Sequence, residues 1–230
     1  MIHVIHGTLL VLGLTAAAEA PGLYFEQTTV TWKGGVATGP GVRSRVWHAG
    51  GRLRLEAGDT AGGPALVLRL DEGRALRLDP EEKVAVELDA SRIRARAHQD
   101  ASVAASLMGA DETLRRAPLE GRRTIAGHAC RGFRLRGRDT SVEVWVAEDL
   151  PAGGALFADF LEWSGAAQSL GPLLAAIREL PGFPLETRTR VSVLGETQET
   201  VATVTSISVS PQPAERFEVP PGFRLEREQP

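Results

Sequence analysis

The sequence predicts a mainly β protein with a few helices, a curved antiparallel sheet or incomplete β-barrel covered by a helical lid, and three observations carry that prediction. Apolar and polar residues alternate through most of residues 23–89 and again across 119–147 and 185–209, the period of two that marks strands with one buried face. Gly, Pro and Asp interrupt those runs at turn spacing. The only strongly apolar stretch with helical periodicity in the body of the chain lies in residues 153–181.

The bulk properties fit one such domain. The chain has 230 residues, 43% hydrophobic and 24% charged, an ordinary globular mixture that excludes wholesale disorder and a multi-span membrane protein. A formal charge of -3 provides no general attraction to nucleic acid, which is excluded as a partner. All but two of the 26 basic residues are Arg, the exceptions being Lys33 and Lys83.

Residues 1–18 read as a signal peptide. Residues 8–18 are small and apolar, too short to span a bilayer, and end in three alanines before Glu19-Ala20-Pro21. Cleavage after Ala18 satisfies the small-x-small rule and starts the mature chain at Glu19, whereas cleavage after Ala20 would place Pro21 directly past the cut. The leading segment holds His3 and His6 but no Lys or Arg. A buried first strand fits this run poorly, because the run does not alternate. The expectation is therefore a single domain over residues 19–230, periplasmic or secreted. Cys130 is the only cysteine, so no intrachain disulfide forms and no cysteine beside the leader accepts a lipid; the mature protein is expected to be a monomer without a stable membrane anchor.

Within residues 23–89, Val42, Ser44 and Val46 alternate with Arg43, Arg45 and Trp47, and Leu53 and Leu55 with Arg52, Arg54 and Glu56. That predicts one oily and one charged face. Leu66, Leu68 and Leu70 continue the oily face, followed by Leu76 and Leu78, then Val84, Val86 and Leu88. Asp71-Glu72-Gly73 and Asp79-Pro80-Glu81-Glu82 supply the turns. Across residues 99–116 the alternation stops, and Val103, Leu107, Met108 and Leu114 form one face of a short helix interrupted by Gly109. Strands return at 119–125, 129–135 and 141–147, the last with Val142, Val144 and Val146 on one side and Glu143 and Trp145 on the other.

Residues 153–181 predict two short apolar helices, one carrying Leu156, Phe157, Phe160, Leu161 and Trp163, the other Leu170, Leu173, Leu174, Ile177 and Leu180. Gly171-Pro172 starts the second and Pro181-Gly182 stops it. Strands at 185–194 and 199–209 follow, joined across Gly195-Glu196, and the chain ends in a Pro-rich tail. A sheet with one oily face must cover it, and these helices are the available cover.

Three ordered segments carry a family resemblance. They are G-R-R-T-I-A-G-H-A-C-R-G-F-R-L with V-E-V-W-V-A-E-D-L between Gly121 and Leu150, P-G-F-P-L-E-T from Pro181, and F-E-V-P-P-G-F from Phe217. Together they resemble a family of exported bacterial proteins of unknown function whose fold is related to the periplasmic lipoprotein carriers LolA and LolB. The resemblance implies a half-barrel whose concave apolar face is closed by helices, and relatives of that architecture hold acyl chains or sense envelope stress. It transfers no catalytic residue.

Candidate chemistry is sparse. His128 and Cys130 lie two apart on a predicted strand and point the same way, but two ligands make no metal site and His48 and His98 lie at no ligand spacing; Cys130 reads as core. H-E-x-x-H and G-x-S-x-G are absent, Ser164-Gly165 lacking the preceding glycine. Gly39 and Gly41 begin a dinucleotide-like pattern, but Ser44 occupies the third glycine position and the segment leads into a strand. Glu81-Glu82 and Glu148-Asp149 read as solvated turn acids. Arg92, Arg94 and Arg96 alternate and would suit an anionic headgroup or an acidic partner, or form a plain solvated face.

The expected function is binding or carriage of an apolar ligand, a lipid acyl chain or lipidated protein, with no catalysis, cofactor or metal. The residues expected to touch it are Phe157, Phe160, Leu161, Trp163, Leu173, Leu174 and Ile177 from the lid, with Leu66, Leu68 and Val144 from the sheet. The alternative is an envelope interaction or stress-sensing module with a filled core.

Overall fold

A computed structural model describes residues 22–59, 61–89, 114–137, 140–150, 176–193 and 195–228. The strands are β1 (Leu23–Lys33), β2 (Val36–Ala37), β3 (Val42–Ala49), β4 (Arg52–Ala57), β5 (Ala65–Arg69), β6 (Arg74–Asp79), β7 (Val84–Leu88), β8 (Arg115–Ile125), β9 (His128–Arg136), β10 (Thr140–Ala147), β11 (Phe183–Val193), β12 (Glu196–Val209) and β13 (Arg224–Arg227). They form one 13-stranded sheet in the order β13-β7-β6-β5-β4-β3-β1-β12-β11-β10-β9-β8, with β2 pairing β1. The sheet is an open, incomplete barrel whose two ends are β13 and β8. Every pairing is antiparallel except β13 on β7. The register shifts between Glu26 and Gln27 where β1 meets β12, and between Trp145 and Val146 where β10 meets β11.

Alternation places the core. One cluster takes Leu23, Phe25, Val46, Leu53, Leu68 and Ala75 from β1 and β3–β6, and continues through Val204, Phe183, Leu185, Trp145, Ala147, Cys130 and Ile125 on β12 to β8. It is an apolar band crossing adjacent strands from β6 to β8, called the inner band below. A second cluster gathers Trp47, Ala65, Val67, Leu76, Leu78, Ala85 and Phe217. A third gathers Phe133, Leu135, Val142, Val144, Val146 and Leu180.

The strand positions follow the sequence closely, and four details differ. Leu76 and Leu78 do not continue the oily face of Leu66 and Leu68. Leu68 pairs with Ala75 and Val67 with Leu76, so the β5–β6 turn moves the large residues of β6 to the other side, with Val67. Residues 115 and 116, expected in a helix, open β8. β12 starts at Glu196 and β11 ends at Val193, a tighter hairpin than the Gly195-Glu196 junction alone suggests. The tail is also structured: Ala214–Phe217 is a 3-10 turn and β13 adds a parallel strand beside β7.

That tail changes the fate of the charged face. Phe217 is 1% exposed, and Val219 and Phe223 pack beside it against the second cluster. A sheet face expected to be solvated is therefore covered by the chain's own end.

Among the described residues α-helical structure occurs only at residues 176–178. The rest of the expected lid, and most of the expected helix over 99–116, lie outside the described residues. Ala176, Ile177 and Leu180 pack on the third cluster. Within β9 and β10 that cluster takes the residues alternating with Cys130, Trp145 and Ala147, so this end of the insert lies on the opposite side of that hairpin from the inner band.

Candidate functional site

The inner band is the largest of the three buried apolar clusters among the described residues. Phe25 meets Phe183 edge to face, with ring centroids 5.4 Å apart, tying β1 to β11. Leu55, Leu66, Leu70, Leu88 and Ile207 are half-buried around it. Leu66 thus sits at the rim, whereas Leu68, predicted beside it, is fully buried.

The expected ligand-contact residues divide. Leu66 and Leu68 belong to the inner band, Val144 and Ile177 to the third cluster. Phe157, Phe160, Leu161, Trp163, Leu173 and Leu174 lie outside the described residues, as do Arg92, Arg94 and Arg96.

His128 and Cys130 have different surroundings. His128 Nδ1 is 2.8 Å from Asp149 Oδ2, and that contact holds the Asp149 carboxyl below the usual carboxylate range. Cys130 is fully buried, and burial pushes its thiol up. Among the described residues no group of three His, Cys, Asp or Glu is placed to hold a metal ion.

Charges beneath the tail are paired with one another. Arg54 binds Glu56 at 2.9 Å, and both are largely buried. Arg54 also donates to the Arg216 carbonyl, while the Arg216 guanidinium lies 4.8 Å from the Trp47 ring centre. Arg69 Nη1 donates to both Glu218 oxygens, at 2.8 and 2.7 Å. Tyr24 donates to Glu26 at 2.5 Å, and burial, then that hydrogen bond, push its phenol up to about 12. These groups anchor the tail and pair most of its buried charge, while Arg69 Nε and Arg216 Nε have no hydrogen-bond partner among the described residues.

Two clefts lie at the hairpin end of the other half. One, about 540 Å³, is bounded by Arg134, Arg136, Thr140, Ser141, Glu143 and Arg190, among others. The other, about 840 Å³, lies between the β1–β2 and β11–β12 turns beside Trp32, Lys33, Glu196 and Glu199. Both are polar-edged. Sequence reading did not single out the arginine cleft, although its signal stood in the alternation of Arg134, Leu135 and Arg136 with no acid adjacent.

The three resemblance segments turn out to be packing devices. Gly132 lies beneath Leu119 and Trp145, where an added Cβ would come within 2.9 Å of both. Gly182, at φ +121°, would bring a Cβ to 2.2 Å from the Ala147 carbonyl oxygen, and it admits Phe183 and Leu185 to the inner band. Phe217, Val219 and Phe223 seal the second cluster. Among the described residues no helix is long and apolar enough to cross a membrane, a fact that does not bear on membrane barrels.

A family model described as a domain of unknown function, DUF4412, matches residues 66–223. Among curated proteins no match was found. Among solved structures, the chain is similar to PNGF-II at a TM-score of 0.38 and 14% identity, covering 91% of this chain and 31% of that one, so it spans about a third of that protein's length. It is similar to an uncharacterized conserved protein from Thermus thermophilus at a TM-score of 0.44 and 9% identity, covering 90% of each chain. It is also similar to a putative outer membrane lipoprotein-sorting protein domain from Vibrio parahaemolyticus at a TM-score of 0.34 and 9% identity, covering 85% of this chain and 88% of that one. At such scores the likenesses report distant shape and say nothing of activity.

Proposed function

This chain belongs to the DUF4412 family, a domain of unknown function, and we propose that it is an exported, non-catalytic binder of an apolar ligand, a lipid acyl chain or the acyl chain of a lipidated protein. The mature chain in this reading is a single domain starting at Glu19 and working in the periplasm. The observation that carries the reading is the inner band, which runs across the sheet from β6 to β8 and ends in the half-buried leucines Leu55, Leu66, Leu70 and Leu88. Each methylene buried there contributes roughly 0.8 kcal/mol before ordering costs. Non-catalytic action is supported by the charged residues of β4 and β5, which are engaged with each other and with the tail.

A filled core with no ligand is the competing reading, and a specific observation favours it: Leu68, Phe183 and Leu185 are almost wholly buried. Native mass spectrometry of protein purified from periplasm without detergent separates the two. A reproducible lipid adduct, lost in a folded Leu66→Glu variant, is the expected result. A clean apo mass with no uptake of added fatty acid or phospholipid overturns the binder reading.

A further inference from the structure

We propose that the cleft at the turn end of β9–β12 is a phosphate-binding site, built by Arg134, Arg136 and Arg190 with the hydroxyls of Ser141 and Thr197. The proposal uses none of the inner-band residues and stands or falls separately from the acyl-chain reading.

The strand register assembles the site. Arg115 on β8 pairs with Arg136 on β9, Arg136 with Ser141 on β10, Ser141 with Arg190 on β11, and Arg190 with Glu199 on β12. Three arginines and one serine thus stand in a single cross-strand row, with one carboxylate at its end. The next row places Arg134 beside Glu143 and Glu143 beside Arg188. The acids are already engaged: Glu143 accepts from Arg134 at 2.8 Å, and Glu199 is bound by both Arg188 and Arg190. Arg115 and Arg136 have no acidic partner among the described residues and stand directly opposite each other. Like charges in that position disfavour the sheet, and an anion between them reverses the sign.

The turn between β9 and β10 gives the cleft a fixed base. Gly137 N donates to the Thr140 carbonyl at 2.8 Å, which closes the turn and fixes Arg136 and Ser141 at its base. At about 540 Å³ the volume holds a phosphate ester with its substituent. Phosphate fits better than a single carboxylate, because its several oxygens can accept from more than one guanidinium and from the hydroxyls at once. The overall charge of -3 hides this local surplus, since the excess acids lie elsewhere.

Phosphate of this kind is supplied either by a lipid headgroup or by a soluble ester, and the test separates them. Binding of orthophosphate is measured by calorimetry at low salt, and of vesicles by co-sedimentation, comparing phosphatidylcholine with and without phosphatidylglycerol. Each is run on wild type, Arg136→Gln and Arg122→Gln. Arg122 is an exposed arginine of β8 that pairs with Arg131, away from the cleft, and has no acidic partner among the described residues. Wild type is expected to bind at least one phosphate probe, with affinity falling as salt rises. Arg136→Gln, which removes a side chain with no acidic partner among the described residues, is expected to lose about tenfold or more while melting as wild type does, and Arg122→Gln to bind unchanged. Arg136-dependent vesicle binding assigns the headgroup; Arg136-dependent orthophosphate binding without vesicle binding assigns a soluble ester. Failure of wild type to bind either probe overturns the proposal. So does an equal response of the two variants, whether both bind as wild type or both weaken alike.

Discussion

On one side of β1, strands β3 to β7 present Arg54, Glu56, Arg69 and Trp47 to the chain's own tail; on the other, β9 to β12 present Arg134, Arg136, Arg188 and Arg190 with far less cover. Both halves use alternating strands rich in arginine. In the first half the charges are desolvated, so each must be matched, and Arg54–Glu56 and Arg69–Glu218 match them. In the second half water supplies the difference, so an arginine without an acidic partner among the described residues, such as Arg136, can be retained. What separates the halves is a short tail that reaches only one of them. An unmatched charge is tolerated where solvent reaches it, and that is where a charged ligand can enter.

Variants on the two sides should diverge in stability. Phe217→Ala is expected to cost about 3–5 kcal/mol, because it empties the buried centre of the second cluster, and urea unfolding measures it. A loss below about 1 kcal/mol would mean the tail does not hold that face. Glu56→Ala leaves Arg54 desolvated and strips the Gly62 N–H of its acceptor, with an expected loss of about 3 kcal/mol. Gly182→Ala meets both positive φ and the Ala147 carbonyl, and should cost at least about 1–3 kcal/mol, read as a lowered Tm. Glu143→Ala is the counterpart in the open half. Its Arg134 partner stays hydrated, so the expected loss is about 0–1 kcal/mol, and a loss equal to that of Glu56→Ala would abolish the contrast drawn between the halves.

The smallest expected effect is electrostatic. His128→Ala should let the Asp149 carboxyl titrate higher, towards its ordinary value, followed by carboxyl-carbon NMR. The sign is that of a depressed acid: its contribution to stability is present above the unfolded pKa and is lost as pH falls through the lower folded one. An unchanged Asp149 titration would show that His128 does not hold it.

Much of the sheet was legible in the sequence because a half-buried strand writes its face every second residue. Leu53, Leu55, Leu66 and Leu68 were placed together from that period alone, and they do share the inner band. The same rule misplaced Leu76 and Leu78, since a turn can transfer the large residues to the other face without altering the alternation on either strand. The resemblance segments were legible as a pattern, but not as what they do: Gly132, Gly182 and Phe217 matter through what approaches them from distant strands.

By itself, then, the chain determined that it forms a meandering antiparallel sheet, where most strands lie, and that Cys130 belongs to the core, because alternation, turn residues and hydrophobicity are local properties. Only the tertiary structure decided that the tail seals one charged face, that Val144 and Leu66 belong to different clusters, and that Arg115, Arg136, Ser141 and Arg190 stand in one row. Those facts depend on register between strands brought together from 115 to 199, and register is set by the cooperative packing of the whole sheet.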